Sequence, residues 1–577
     1  MRRGNAGEIG RGGGPWTAAL LVIGCLAVAP VTFVAVALAS PSVEVWRRLW
    51  RTTLPEMIGT TLALAFMVAV GSAVVGVGLA WLVTAYRFPG RDLFAWLLAL
   101  PLAVPGYVIG FVFLSMVGPT GVVQRWWRGT FGAEAWFPEV RSIAGLAVVL
   151  VLVLYPYVYL VCRAHFAGAS AVAFEVARTL GRGRPGAFFG AVLPMARPAV
   201  AAGVALVLME TLTDFATVQY FGVETVSAAV YRVWRGAYDR DAAAELAGMV
   251  LVFAVGVIGL ERALRGRARY AEASGVRAGI EPTPLAGWRA AAALSVSAVV
   301  FVAGFGAPVG RLLWWALEDA DRVDVDRFVG YLANTLWLAS ATALVCVAVA
   351  LVVANALRFS PGRLSDLGAK ATLVGYAVPA PVVAIGVLLA LSWLDSASER
   401  VGFTLPGLTV SGSVAAVLYG YAVRFVAVGV GSVESNLERV PLEVTMSARA
   451  LGARPVAVAW RVHLPLLRAG VASAAALVAM EAIKELPIVL LLRPFGFDTL
   501  SVWTWQLAGE SLFRQAALPS LTIVASSVVA VFLLVRNLGG GPARSGRGPS
   551  QVDVPWGEPG GEVVSGVLTS REGRSVG

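Results

Sequence analysis

Phe174-Glu175-Val176-Ala177-Arg178-Thr179-Leu180-Gly181 is followed, thirteen residues after its glycine, by the proline of Leu193-Pro194. The arrangement returns 271 residues later as Ala448-Arg449-Ala450-Leu451-Gly452 and then Leu464-Pro465. Sixteen residues beyond each proline stands Met-Glu, as Met209-Glu210 and Met480-Glu481. Upstream, Arg87-Phe88-Pro89-Gly90-Arg91 pairs with Arg358-Phe359-Ser360-Pro361-Gly362-Arg363, and Ala103-Val104-Pro105 with Ala377-Val378-Pro379. Matches kept in order over so long a stretch predict two copies of one unit. Locally, 174–180 reads as a short helix ended by Gly181 at its C-cap. Ala177 and Ala448 are small enough to let another surface approach closely, and Arg178 and Arg449 offer charge for an ion pair.

Composition sets the medium in which these units fold. Of 577 residues, 58% are apolar and 14% charged, against roughly 25% charged in an ordinary soluble protein. One soluble core could not hide so much apolar surface, and disordered chains are poor in aliphatics. An integral membrane protein remains. The net charge of +11, from 46 Lys+Arg and 35 Asp+Glu, reads as basic loops that fix orientation and gives no reason to invoke nucleic acid. Cys25, Cys162 and Cys346 lie far apart in apolar stretches, and His165 and His463 are the only histidines. No Cys/His metal site or disulfide framework is expected.

A bilayer core needs about 20 apolar residues per helix. Twelve spans are expected, near 16–39, 57–84, 94–118, 143–163, 197–220, 243–261, 289–316, 332–357, 369–395, 410–431, 470–492 and 516–535. The first is too long for a cleaved signal peptide and is read as a retained helix. The expected fold is all-α, with six helices in each homologous half. A parallel repeat of this kind places a pathway along a pseudo-two-fold axis. The chain divides into a cytoplasmic tail (1–15), a first helix with an outer segment (16–56), a first core (57–261), a cytoplasmic linker (262–288), a seventh helix with an outer segment (289–331), a second core (332–535) and a Gly/Ser/Pro-rich tail read as disordered (536–577). Lys and Arg concentrate in the loops on the N-terminal side, so both termini are expected in the cytoplasm. Arg47, Arg48 and Arg51 break that pattern and, with Trp46, Leu49 and Trp50, read as a helix at the interface.

Acidic residues stand inside two spans. Glu210 lies about twelve residues into the fifth, with Asp214 four residues on and so on the same face. Glu481, Lys484 and Glu485 repeat the pattern. A charge at mid-bilayer costs about 2.5–3.5 kcal/mol on insertion scales, tolerated beside a wet cavity or a partner. These five residues are therefore candidates for lining a pathway, near its outer end; the plainer reading is a structural role, pairing with Lys484 or with polar backbone, or a place at the outer interface. A phosphate-binding loop needs Gly directly before Lys. Lys370 follows Ala369 and Lys484 follows Ile483, so ATP would have to be hydrolysed elsewhere, and this chain is expected to bind no cofactor.

The paired loops, 164–196 and 432–468, resemble the EAA motif of ABC importer permeases with the type I, MetI-like fold. That family's loop carries Glu-Ala-Ala, then Gly, then Leu-Pro, and forms a coupling helix that docks on a separate ATPase. The resemblance assigns coupling to Glu175, Ala177, Arg178, Gly181 and Pro194, and to Ala448, Arg449, Gly452 and Pro465. Met446 stands where the first copy has Glu175, and Glu443, one turn earlier, is a substitute for its polar contact. Within the family, Leu100-Pro101-Leu102-Ala103-Val104-Pro105-Gly106-Tyr107-Val108, Tyr155-Pro156-Tyr157-Val158-Tyr159-Leu160, Met209-Glu210-Thr211-Leu212-Thr213-Asp214-Phe215 and Thr217-Val218-Gln219-Tyr220-Phe221-Gly222 are similar to fused, two-domain ferric-iron permeases. The resemblance implies a bacterial inner-membrane permease served by two ATPase copies and a periplasmic or lipid-anchored binding protein, with no metal site of its own. Thiamine, sulfate and polyamine permeases are close relatives of that family. A proton-coupled secondary transporter using the same acids is the alternative of another class, and it leaves the paired loops unexplained. No Ser-His-Asp or Cys-His arrangement points to a membrane enzyme.

Overall fold

The computed structural model describes residues 14–39, 47, 50–234, 240–265, 280–319, 324–402 and 410–539. The N-terminal tail up to residue 13, Arg48 and most of the expected interfacial segment, Arg235, the linker centre (266–279) and the tail from residue 540 lie outside the described residues.

The protein is an all-α membrane protein in two halves. Among the described residues, ten helices are long and apolar enough to cross a bilayer, or eleven when the pair Arg184–Met195 and Arg197–Thr213, bent by 66°, is one span. The last expected span corresponds to the helix Ala517–Gly539, whose described apolar part, Ala517–Val529, is shorter. In the first half Leu54–Ala85 packs on Ile143–Ala167, and in the second Val325–Phe359 packs on Val414–Leu437. The repeat extends to single hydrogen bonds. The Val226 N–H donates to Thr61 Oγ1 at 3.1 Å, and the Leu500 N–H donates to Thr335 Oγ1 at 2.9 Å.

Four expected spans have different bounds, for a reason that hydropathy does not register. The stretch expected as 94–118 is a helix Arg91–Leu97, a tight turn Leu100–Ala103, and a new helix from Gly106 to Val117. Its counterpart, 369–395, is Arg363–Thr372, Val374–Ala377 and Ala380–Arg400. Residues before proline are pushed to extended backbone, and Val104 and Val378 take ψ of 122° and 132° before Pro105 and Pro379. The spans expected as 197–220 and 470–492 end at Thr213 and Lys484, where Asp214 and Glu485 leave the helix, and short helices follow at Ala216–Tyr220 and Pro487–Leu492. The 66° bend has its own cause. Pro198 in the first turn of Arg197–Thr213 lacks an N–H and crowds the turn before it. The second half has Ala469 there, and Pro455–Lys484 runs on as one span.

Each half is gripped by a helix from the other end of the chain. Gly14–Ala39 packs on Arg363–Thr372 and Ala380–Arg400 of the second half. Glycines make the approach possible: a Cβ on Gly24 would lie 2.9 Å from the Gly368 carbonyl oxygen, and one on Gly386 would strike the Pro30 carbonyl. Without a hydrophobic drive between helices in lipid, such small-residue contacts and hydrogen bonds carry the association. Tyr419 donates to the Leu26 carbonyl at 2.6 Å. Reciprocally, the Gly287–Glu318 span lies on Arg91–Leu97, Leu100–Ala103 and Gly106–Val117 of the first half. The end of the linker is fixed rather than free: Thr283–Pro284 pairs in parallel with Tyr86–Arg87, and the Leu285 N–H donates to the Arg87 carbonyl at 2.8 Å.

Overpacking a close contact costs about 1–3 kcal/mol. Gly386→Val should lower the thermal unfolding temperature in detergent, while Gly78→Val, with open space around it, should leave it unchanged.

Candidate functional site

The four helix breaks converge. A cavity of about 120 Å³ lies between the halves, lined by Pro105, Gly106 and Tyr107 at one break, Glu210 and Asp214 at the second, and Glu481, Lys484, Glu485 and Pro487 at the third. Arg424, from the middle of Val414–Leu437, also faces it. A recess of about 270 Å³ shares Glu210, Arg424 and Tyr157 with it and is also lined by Tyr376 and Pro379, the fourth break. All five acids and bases proposed from the sequence as pathway residues therefore come together.

The broken backbone explains how the carboxylates are held. A helix interrupted among apolar side chains leaves carbonyl and amide groups that must find partners inside the protein. Asp214 is not on the same helical face as Glu210: the helix ends at Thr213, and Asp214, with ψ of 94°, turns its carboxylate onto the next segment. There Oδ1 accepts the Thr217 N–H at 2.8 Å and Oδ2 accepts the Thr217 hydroxyl at 2.5 Å. Glu485 does the same one repeat later, accepting the Ile488 N–H at 3.2 Å. Before Pro105 the freed carbonyls are taken by side chains of Ile143–Ala167: Tyr155 donates to Leu98 O, and Tyr159 and Arg163 to Ala95 O. Before Pro379 the same task falls to Arg424, which donates to the Val378 carbonyl at 3.0 Å.

Arg424 also joins the halves electrostatically. Its guanidinium lies 3.6 Å from Glu210 of the first half and 3.6 Å from Glu485 of the second. Both Arg424 and Glu485 are almost fully buried. Lys484 pairs with Glu481 at 2.7 Å within one helix. Four acidic side chains thus face two basic ones around the cavity, a formal excess of two acids. Sequence reasoning passed over Arg424, although a lone arginine inside an apolar span was a usable signal. Tyr107 and Tyr157 stand in the stretches that carry the resemblance, but nothing in the sequence attaches a role to them.

The two loop motifs form short helices, Ala169–Thr179 and Leu442–Ala450. Gly181 and Gly452 follow them with φ of 82° and 86°. The N–H of residue 182 donates to the Ala177 carbonyl and that of residue 453 to the Ala448 carbonyl, both at 3.1 Å, a Schellman closure that favours glycine. Arg178 and Arg449 each donate to the carbonyl four residues on, Arg182 O at 3.0 Å and Ala453 O at 3.1 Å. Within the chain they close the turn rather than join an ion pair. Glu175, Glu443 and Met446 are exposed, Ala177 is buried and Ala448 half-buried. Each turn presents a bare leucine, Leu180 at 77% and Leu451 at 89% exposure. Pro194 and Pro465 follow one-turn π segments, Phe188–Val192 and Ala459–His463, wide turns that absorb the missing donor.

The two short helices are tied to their halves differently. Phe174 meets Trp81 edge-on, with ring centroids 5.4 Å apart, and Trp81 stacks near Phe188. In the second half Thr445 stands at the Phe174 position and shares a 3.0 Å hydrogen bond with buried His463, whose other ring nitrogen meets Asn355 Oδ1 at 2.6 Å. An aromatic wedge in one half is a polar relay in the other.

Residues 72–265 match the family of binding-protein-dependent transport system inner membrane components. The chain belongs to this family. It is 24% identical over 493 residues to the Fe(3+)-transport system permease protein FbpB 2 of Haemophilus influenzae, covering 84% of this chain and 90% of that one. It is 30% identical over 216 residues to the sulfate transport system permease protein CysT of Salmonella typhimurium, covering 36% of this chain and 76% of that protein. The molybdenum transport system permease protein ModB of Escherichia coli is 28% identical over 206 residues, 34% of this chain and 85% of its own length. The ABC-permease character and the MetI-like fold expected from the motifs are thereby established, and the chain is a transport permease.

Removing one partner of a buried ion pair typically costs about 3–5 kcal/mol. Arg424→Ala should destabilise the protein by that order, and adding Glu485→Gln should restore much of it; thermal unfolding of the purified single and double variants in detergent tests both.

Proposed function

We propose that this permease carries ferric iron into the cytoplasm, driven by two copies of a separate ATPase and supplied by a periplasmic or lipid-anchored binding protein. The observation that supports this cargo is the formal excess of two acidic over basic side chains around the cavity. Surroundings of that sign favour a cation and oppose sulfate or molybdate, both anions. Carboxylates are also hard oxygen donors, suited to a hard cation. Similarity to the Fe(3+)-transport permease runs through both halves, whereas the sulfate and molybdenum relatives match about one half's length.

In this reading the chain does no covalent chemistry and holds no nucleotide. The helices Ala169–Thr179 and Leu442–Ala450 face the cytoplasm, as do both termini, and Leu180 and Leu451 seat in the two ATPase copies. Leu180 and Leu451 stand exposed beside rigid, glycine-closed turns, and exposed apolar surface at a fixed position is what a partner covers. Closure of the ATPase pair on ATP draws the two short helices together, and the halves rock about the charged cavity.

Two measurements decide the proposal. Cells carrying the gene should take up labelled ferric iron and cells lacking it should not, with sulfate, molybdate and thiamine uptake unaffected; gene-dependent uptake of sulfate or molybdate instead would overturn the cargo. Leu180→Asp combined with Leu451→Asp should abolish co-purification of the ATPase while leaving the permease folded, and retention of the ATPase would overturn the docking assignment.

A further inference from the structure

The Tyr107 side chain lines the cavity and is 5% exposed, yet its hydroxyl finds no hydrogen-bond partner among the described residues. Buried polar groups nearly always have one. Neighbouring phenols obey the rule: Tyr421 donates to the Glu485 carbonyl at 3.3 Å and Tyr220 to the Trp505 carbonyl at 3.2 Å. Tyr107 sits on the first turn after the Pro105 break, where the helix restarts at Gly106. Gly106 brings that turn against a carboxylate, because a Cβ there would lie 2.5 Å from Asp214 Oδ2.

Two carboxylates share the cavity with this phenol, at equivalent repeat positions in opposite halves. Asp214 and Glu485 are oriented by backbone N–H groups. A carboxylate has about four lone-pair sites, so each keeps acceptor capacity after those bonds are made.

We propose that Tyr107, Asp214 and Glu485 form a transit site for a hard, highly charged cation, with the Tyr107 oxygen in contact with the cargo. The assignment rests on the cation-import reading above and adds to it the residues that touch the ion. Phenolic and carboxylate oxygens are hard donors, matched to ferric iron and to its redox-inert mimic gallium(III). Among the described residues no group of three or more His, Cys, Asp and Glu side chains is placed to hold a metal ion, so the site offers few donors, in keeping with a pathway that must release what it binds. Its donors also come from both halves, so rocking the halves apart separates Asp214 from Glu485 and dismantles the site.

The test is uptake of radiolabelled ferric iron by cells carrying the intact transporter, with gallium(III) as competitor, in the wild type, Tyr107→Phe and Tyr419→Phe. Tyr107→Phe removes only an unpaired hydroxyl, so its unfolding temperature and amount in the membrane should match the wild type while iron uptake falls at least ten-fold. Tyr419→Phe, whose hydroxyl serves the Leu26 carbonyl outside the cavity, should keep its uptake. Gallium(III) should suppress wild-type uptake. Wild-type rates in Tyr107→Phe, with iron still carried, would overturn the site and leave the cargo standing. A lowered unfolding temperature in Tyr107→Phe would mark the hydroxyl as structural and also overturn it. A wild type that moves no ferric iron would remove the cargo reading and the site together.

Discussion

A polypeptide broken inside an apolar slab must satisfy its own loose ends, and this requirement organises the centre of the molecule. Each half is interrupted twice, before Pro105 and Pro379 and at Asp214 and Glu485. Every interruption frees amides and carbonyls that lipid cannot satisfy. The solution is to place charged side chains where the backbone needs them. Asp214 and Glu485 cap the segments that follow, and Arg424 satisfies Val378. Charge in the cavity and integrity of the fold are thus the same set of interactions.

Much of the architecture was readable from sequence because duplication writes its evidence twice. The Gly181 and Gly452 turns, the prolines that follow them and the acids sixteen residues on kept their order, and eight of the twelve spans expected from hydropathy correspond to helices found, the four interrupted ones apart. The breaks were hidden because both sides of each are apolar, and a window of hydropathy averages across them. Pro105 and Pro379 were visible, but proline inside a span need not stop it: Pro156 lies within the continuous helix Ile143–Ala167. Arg424 was missed for the opposite reason. It has no copy in the first half, so a search for repeats passed it by, and its role depends on helices far away in sequence.

The places where the repeat fails are as informative as those where it holds. The short helix of the first half is wedged by Trp81, Phe174 and Phe188, and that of the second is held through Thr445, His463 and Asn355. Aromatic pairs prefer edge-on or offset geometries but hold over a broad range of centroid distances, whereas a two-bond imidazole relay fixes distance and angle more narrowly. The bend at Ala196, present in one half only, points the same way. The two arms that would carry motion inward are mechanically distinct.

Arg424 gives the fusion of the halves a rationale in stoichiometry. The first half brings Glu210 and Asp214 with Val153 where the second has Arg424, and Thr213 where the second has Lys484. Two copies of the first half would gather four uncompensated anions, and two copies of the second would neutralise themselves completely. Only one of each leaves the intermediate balance seen here. Joining them in a single polypeptide makes that ratio a property of translation, beyond the reach of chance encounters between separately made subunits.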